Sequence, residues 1–200
     1  MKALVRQGSE KKLAATSCEI CRGDALDADS YNMHVAGCDT FIHLVGVAHP
    51  SPAKAREFVS IDLRSAQEAI RAAAKAAMPH FIYLSVAQPA PVMKSYIAVR
   101  AACESSLRDS GLNATIVRPW YVLGPGHRWP VVLQPLYALA RLVPSTRDGA
   151  LRLGLVDLKQ MIYTLLAAVE DPASGIRLLQ VPDIRRLGSS GHVQSGLRVA

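Results

Sequence analysis

No GxGxxG and no GxxGxxG occurs anywhere in the 200 residues of this chain. Such a turn lets backbone N–H groups meet a pyrophosphate at a helix amino terminus, so the commonest sequence fingerprint of a dinucleotide site is missing. Long hydrophobic runs are missing too: nothing approaches the roughly 18 apolar residues of a membrane span, and Met1 to Arg6 is too short for the charged and apolar parts of a signal peptide. Cysteine is scarce. Of four in the chain, Cys18 and Cys21 have metal-ligand spacing, but no second CxxC follows. His34 and Cys38 complete a zinc site only on paper. Cys18 and Cys21 fall in an expected strand, where residues three apart face opposite sides, so free thiols and no metal are expected. These absences point to a cytoplasmic, reducing setting with no membrane contact.

What is present is an apolar chain with a basic balance. Half of the residues are hydrophobic, enough for a full core, and 23 basic against 16 acidic residues give a net charge of +7. The basic side chains are scattered, with a modest excess at Arg185, Arg186 and Arg198. A nucleic-acid binder concentrates them on one face or stripe, so nucleic acid is not the expected partner. A small anionic ligand accounts for the same charge.

Strands and helices alternate along the chain. Short strands are expected at Lys2 to Arg6 and Thr16 to Ile20, and a weak helix at Ala28 to Val35. Thr40-Phe-Ile-His-Leu-Val45 is a continuous apolar run, as in a strand covered on both faces, and belongs inside a sheet. Ser51 to Ala77 is helical, with an alanine-rich half that permits close packing. Phe81 to Ser85 is a strand, Ser95 to Ser110 a helix closed by Gly111, and Asn113 to Val117 a strand. Such alternation implies right-handed crossovers and a parallel sheet. Beyond Gly124 four prolines interrupt a short helical lobe. Leu151 to Val156 then forms a strand, Asp157 caps a helix over Leu158 to Glu170, and Gly175 to Val181 forms the last strand. The glycine- and serine-rich stretch from Gly188 to Gly196 reads as a loose tail. There is no internal repeat.

The richest stretch, Phe81 to Gly126, brings a hydroxyl (Ser85), a phenol (Tyr96) and a cation (Arg100) to the carboxyl ends of parallel strands, where open α/β sheets place their chemistry. Tyr96 and Arg100 are one helical turn apart and share a face. A fixed cation there favours the phenolate and fits Tyr96 for acid/base work. His43, inside its apolar strand, reads as a buried, hydrogen-bonded core histidine.

In order and spacing these pieces resemble extended or atypical members of the short-chain dehydrogenase/reductase superfamily, close to the NAD-dependent epimerase/dehydratase group. Asp39 to Gly46 resembles that group's fourth strand and its turn, Asp62 to Ala66 the next helix start, and Ala76 to Ser85 the fifth strand. Tyr96 to Arg100 resembles the tyrosine-x-x-x-lysine element, Val117 to Gly126 the loop after strand six, and Leu155 to Asp157 the helix start of the substrate lobe. The likeness spans about residues 2 to 182.

The resemblance implies an α/β, Rossmann-like, doubly wound parallel sheet that lacks its first strand and glycine loop. It assigns residues 1–123 to an NAD(P)-binding core, 124–184 to a small substrate lobe and 185–200 to a flexible tail. It implies NADP or NAD as cofactor, a small-molecule substrate, and carbonyl or sugar-type oxidoreduction or epimerisation by hydride transfer. Self-association stays open. Ser85, Tyr96 and Arg100 take the catalytic positions. Arg6, Asp24, Val45, Gly46 and Pro119 take cofactor-binding positions: Arg6 toward a 2′-phosphate, Asp24 toward adenine, Val45 and Gly46 along ribose and pyrophosphate. Trp120, Tyr121, His127, Arg128 and Trp129 either line a substrate pocket or simply pack. Arginine in place of lysine at 100 is not a conservative exchange, and Asp62 stands where the group often has asparagine. These departures keep a second reading open, a non-catalytic nucleotide-binding or interaction module or an inactive remnant.

Overall fold

A computed structural model of the chain describes residues 1–13, 16–124, 149 and 151–194. The main sheet has four parallel strands in the order β3 (Thr40–His43), β4 (His80–Leu84), β5 (Ala114–Arg118) and β8 (Ile176–Gln180). Two parallel pairs accompany it, β1 (Lys2–Val5) with β2 (Glu19–Arg22) and β6 (Tyr121–Leu123) with β7 (Leu155–Asp157).

Period-two alternation divides β4 and β5 between two cores. Phe81, Tyr83, Ala114 and Ile116 face α3 (Arg64–Lys75) and α4 (Lys94–Asp109), joining Ala66, Ala69, Ala73, Cys103 and Leu107. Ile82 and Val117 face the opposite way, toward Met161 and Ala168 of α5 (Leu158–Glu170) and Ile184 of α6 (Val181–Gln194). The result is a sheet between two helical layers, the doubly wound α/β architecture expected from the sequence. Alanines line the buried face of α3, so its backbone approaches the sheet closely. Each large side chain fully buried here, such as Phe81 or Ile82, contributes about 1.5–3 kcal/mol.

Three short helical segments lie ahead of α3 on the same connection: a 3₁₀ turn (Pro52–Lys54), α2 (Ala55–Glu57) and a π-helical segment, Phe58–Leu63, in which Phe58 and Asp62 are buried. π-Helical turns recur at functional sites. Between β2 and β3 the expected helix is broken into a 3₁₀ turn, Ala28–Ser30, capped by the Asp27 side chain, and the four-residue α1 (Asn32–Val35).

The structure corrects several further expectations. The run Thr40 to Val45 was expected inside the sheet, yet β3 stops at His43 and, among the described residues, pairs on its β4 side alone. Ile42, Leu44 and Val45 are consequently exposed by 38%, 53% and 36%. The second strand starts at Glu19 rather than Thr16, because the Thr16 hydroxyl folds back onto the Leu13 carbonyl at the end of a 3₁₀ turn. The stretch from Gly188, expected as a loose tail, continues α6 through Gln194. A Cβ on Gly188 would lie 2.7 Å from the Gln160 Cα, so glycine is what lets α6 lie against α5.

The carboxyl-terminal elements otherwise follow the sequence. Asp157 accepts the Gln160 N–H, the Gln160 side chain accepts the Asp157 N–H, and this capping box starts α5 at Leu158. The strand ahead of it is shorter than expected, since residues 151 and 152 are helical and β7 begins at Leu155. The proline-rich segment, with His127, Arg128 and Trp129, lies outside the described residues.

Candidate functional site

Three groups of side chains occupy the carboxyl ends of the strands. The most connected is built around Arg100, which α4 holds beneath the turn after β3. Arg100 is only 6% exposed. Nη2 donates to Asp62 Oδ1 at 2.5 Å, and Nη1 donates to the Leu84 carbonyl at 2.9 Å and to the Tyr83 hydroxyl at 3.3 Å. Asp62 Oδ2 accepts the Val47 N–H at 3.1 Å, so the carboxylate ties α4 to the β3 turn. Gly46 belongs to this contact: a Cβ there would fall 2.3 Å from Arg100 Nη2. The glycine makes room for the chain's own guanidinium, not only for a ligand. Arg100 Nε is buried without a hydrogen-bond partner among the described residues.

Tyr96, one turn earlier on α4, has its ring centroid 5.1 Å from the Arg100 guanidinium carbon, and Tyr83 has its own at 5.8 Å. Burial pushes the Tyr96 phenol above its usual value, and Arg100 offsets this only in part. The expected depression is therefore not seen: the phenol is held protonated. Burial likewise raises the Asp62 carboxyl against the pull of Arg100. Burial opposes charge on Arg100 as well, but the Asp62 carboxylate and the Tyr83 hydroxyl that accept its hydrogen bonds offset it, and the guanidinium stays charged.

Ser85 belongs to a second group. Its Oγ donates to Glu104 Oε1 at 2.6 Å, and the residue is 4% exposed. Glu104 also accepts from Gln88 Nε2 at 2.8 Å, from Arg118 through Nε and Nη2, and from Arg108 Nη2 at 3.1 Å. Burial works to raise this carboxyl, but these donors win and hold it below the ordinary glutamate value. Ser85 thus closes a buried hub between β4, β5 and α4. The structure brings Tyr96 and Arg100 together but directs the Ser85 hydroxyl to Glu104.

The third group lines the ends of β1 to β3. Arg6 is exposed immediately after β1, and Asp24 is exposed after β2. Asp24 Oδ1 accepts the Leu26 N–H at 2.9 Å, which makes it a turn former whose other oxygen has no partner among the described residues. Val45 is half-exposed beside Gly46. Pro119 is buried, and its carbonyl accepts the Ala87 N–H, which ties it to the loop after β4. His43 is a core histidine as expected, 3% exposed and stacked on Tyr83 at 5.8 Å. Trp120 packs edge-on against Tyr121.

The sequence reading gave Asp62, Glu104 and Tyr83 no role. A usable signal existed for two of them. Asp62 is a lone carboxylate in an otherwise apolar turn, and Glu104 lies four residues from both Arg100 and Arg108.

Comparison with known proteins decides the family. Residues 1–132 match the family model described as NAD(P)H-binding. The chain belongs to this NAD(P)H-binding family. No curated protein matches it. Solved structures share its fold at low identity. The enzyme WbmH of Bordetella bronchiseptica, solved with NAD+, has a TM-score of 0.63 at 16% identity, covering 100% of this chain and 74% of that one. A nucleoside-diphosphate-sugar epimerase from Staphylococcus aureus has 0.61 at 14%, covering 96% and 67%. A short-chain dehydrogenase/reductase superfamily protein from Agrobacterium tumefaciens with bound NAD has 0.61 at 15%, covering 100% and 84%. The fold is the Rossmann-like one of that superfamily, as expected, and the cofactor class is NAD(P).

The exposed groups suit such a cofactor. Arg6 offers a cation with no side-chain partner among the described residues, Asp24 an open acceptor, and Val45 with Leu44 an apolar strip, all at strand ends. Among the described residues no helix is long and apolar enough to cross a membrane.

Proposed function

We propose that this protein binds NADP or NAD across the carboxyl ends of β1 to β4 and reduces a carbonyl or sugar-type substrate, with Tyr96 as the proton donor. The observation that carries this reading is Tyr96 itself: a phenol kept protonated by burial, 5.1 Å from a fixed guanidinium. A group of that kind gives a proton to a developing alkoxide, and the cation then stabilises the phenolate left behind. When bound, the nicotinamide supplies the hydride. Arg6 and Asp24 hold the adenosine end, and Val45 with Gly46 the ribose and pyrophosphate. Residues 1–123 form the cofactor part and 124–184 the substrate part, in a cytoplasmic setting that suits four free thiols.

A second reading has its own support. The terminal nitrogens of Arg100 are already engaged by Asp62, Leu84 and Tyr83, and the Ser85 hydroxyl by Glu104, which favours a module that holds the nucleotide as a structural or sensory ligand.

One series of measurements separates them. The chain is titrated with NADPH and NADH, following nicotinamide fluorescence and melting temperature, and Tyr96→Phe is then assayed on carbonyl substrates. Saturable micromolar binding, weakened more for NADPH than for NADH by Arg6→Ala, supports the site. Turnover abolished by Tyr96→Phe with binding intact supports the reductase. Binding without any turnover supports the module, and a folded chain that binds neither nucleotide sinks both.

A further inference from the structure

We propose that a cleft at the carboxyl end of β8 is an oxyanion subsite for the substrate, taking a compact phosphate or carboxylate group. The proposal rests on the reductase reading above and names the substrate class for it: a carbonyl compound bearing an anionic group. The cleft measures about 280 Å³ and is lined by Leu151, Arg152, Gln180, Pro182 and Asp183. A water molecule's share of the liquid is about 30 Å³, so the space admits a phosphate with several waters.

The lining is suited to an anion. Arg152 is anchored by its Nε, which donates to the Pro89 carbonyl at 3.1 Å, while its two terminal amino groups have no hydrogen-bond partner among the described residues. An anchored guanidinium fork of this kind matches two oxygens of a phosphate or carboxylate. The Gln180 carboxamide is also without a side-chain partner there. The one carboxylate in the lining is neutralised locally: Asp183 Oδ2 accepts the Gln180 N–H at 3.0 Å and Oδ1 accepts from Arg186 Nη2 at 2.8 Å. The first turn of α6, Val181 onward, adds the positive end of a helix dipole.

Position supports the assignment. β8 lies beside β5, and the cleft opens at the same strand ends as Tyr96. Pro89, which anchors Arg152, lies on the loop from β4 to α4, and Tyr96 follows two residues into that helix. Arg152 and Tyr96 therefore flank one loop, and a substrate whose anion rests on Arg152 extends its carbonyl along it.

The test titrates the full chain, at constant ionic strength in chloride, with inorganic phosphate and separately with acetate. Binding is followed by phosphorus line width and by melting temperature. Saturable binding of either probe is expected, with the tighter one naming the natural group. Arg152→Gln should weaken it about tenfold or more, Arg152→Lys should weaken it less, and saturating NADPH should leave it unchanged. The proposal is overturned if neither probe saturates, if folded Arg152→Gln binds like the parent chain, or if NADPH displaces the probe, which would place the anion at the dinucleotide site. A chain that binds phosphate through Arg152 but does not bind NADPH fails the dinucleotide reading and leaves the oxyanion subsite standing.

Discussion

Removing the Asp62 carboxylate should unfold this protein more readily than almost any other single polar change. In Asp62→Ala the Arg100 guanidinium stays buried with only Leu84 and Tyr83 as partners, its Nε already being unpaired, and the Val47 N–H loses its acceptor. Breaking one side of a buried ion pair costs about 3–5 kcal/mol. Most of that is the uncompensated cation, since an unpaired backbone N–H alone costs about 1–3 kcal/mol. With a urea m-value of about 3 kcal/mol/M, the midpoint should fall by about 1 to 1.7 M.

The same pair can be removed whole. Asp62→Ala combined with Arg100→Met should cost less than the sum of the two single changes by about 2–3 kcal/mol, because the second substitution takes away the charge that the first left stranded. Equilibrium urea unfolding of the four proteins, followed by far-ultraviolet circular dichroism, measures the coupling. A single-variant loss below about 1 kcal/mol, or additive changes within error, would refute the view that the pair is buried and mutually dependent.

Two further outcomes follow from the geometry. Burial first, and then Arg100, depress the pKa of His43 from 6.5 to about 3, so the unfolded chain binds more protons throughout that interval. Stability should therefore be full above pH 6.5 and fall as pH drops through the interval, by about 2 kcal/mol between pH 7 and pH 5 from His43 alone. Buried His80 acts in the same direction, and Glu104, held low by its donors, adds its loss only below its unfolded value of 4.5. His43→Phe, which keeps a ring against Tyr83, should flatten the slope between pH 7 and pH 5 in thermal melts; an unchanged slope would show that the imidazole titrates normally. Gly188→Ala should push α6 away from Gln160 and cost about 1–3 kcal/mol as an overpacked contact, whereas Gly8→Ala, with open space around it but a φ of +84°, tests backbone strain alone. A melting temperature unaltered by Gly188→Ala would mean that α6 does not lie against α5.

Much of this architecture was legible because local signals and packing agree. The alternation of short apolar runs with alanine-rich and capped helices gives a parallel α/β sheet. Asp157 with Gln160, and Gly111 after α4, mark helix ends that tertiary contacts do not override. Errors arose where local pattern and environment separate. The run Thr40 to Val45 reads as an interior strand because composition reports apolarity, not neighbours. Whether another strand pairs beyond β3 is a property of the whole sheet. The glycines of α6 read as a tail because helix propensity penalises them, while the close approach to Gln160 that rewards Gly188 depends on a residue 28 positions away.

The candidate site was legible at the level of residues and not of partners. Tyr96 and Arg100 meet because one helical turn fixes their spacing, a short-range fact available from sequence. Their chemistry depends on groups that spacing does not reach. Asp62 comes from a π-helical turn 38 positions earlier and binds the guanidinium, and burial by Phe58, whose ring lies 5.0 Å from that of Tyr96, raises the phenol that a cation alone would lower. Burial thus keeps the phenol in the protonated form from which the proposed donor step begins, and the nearby guanidinium lowers the cost of the phenolate that the step leaves behind.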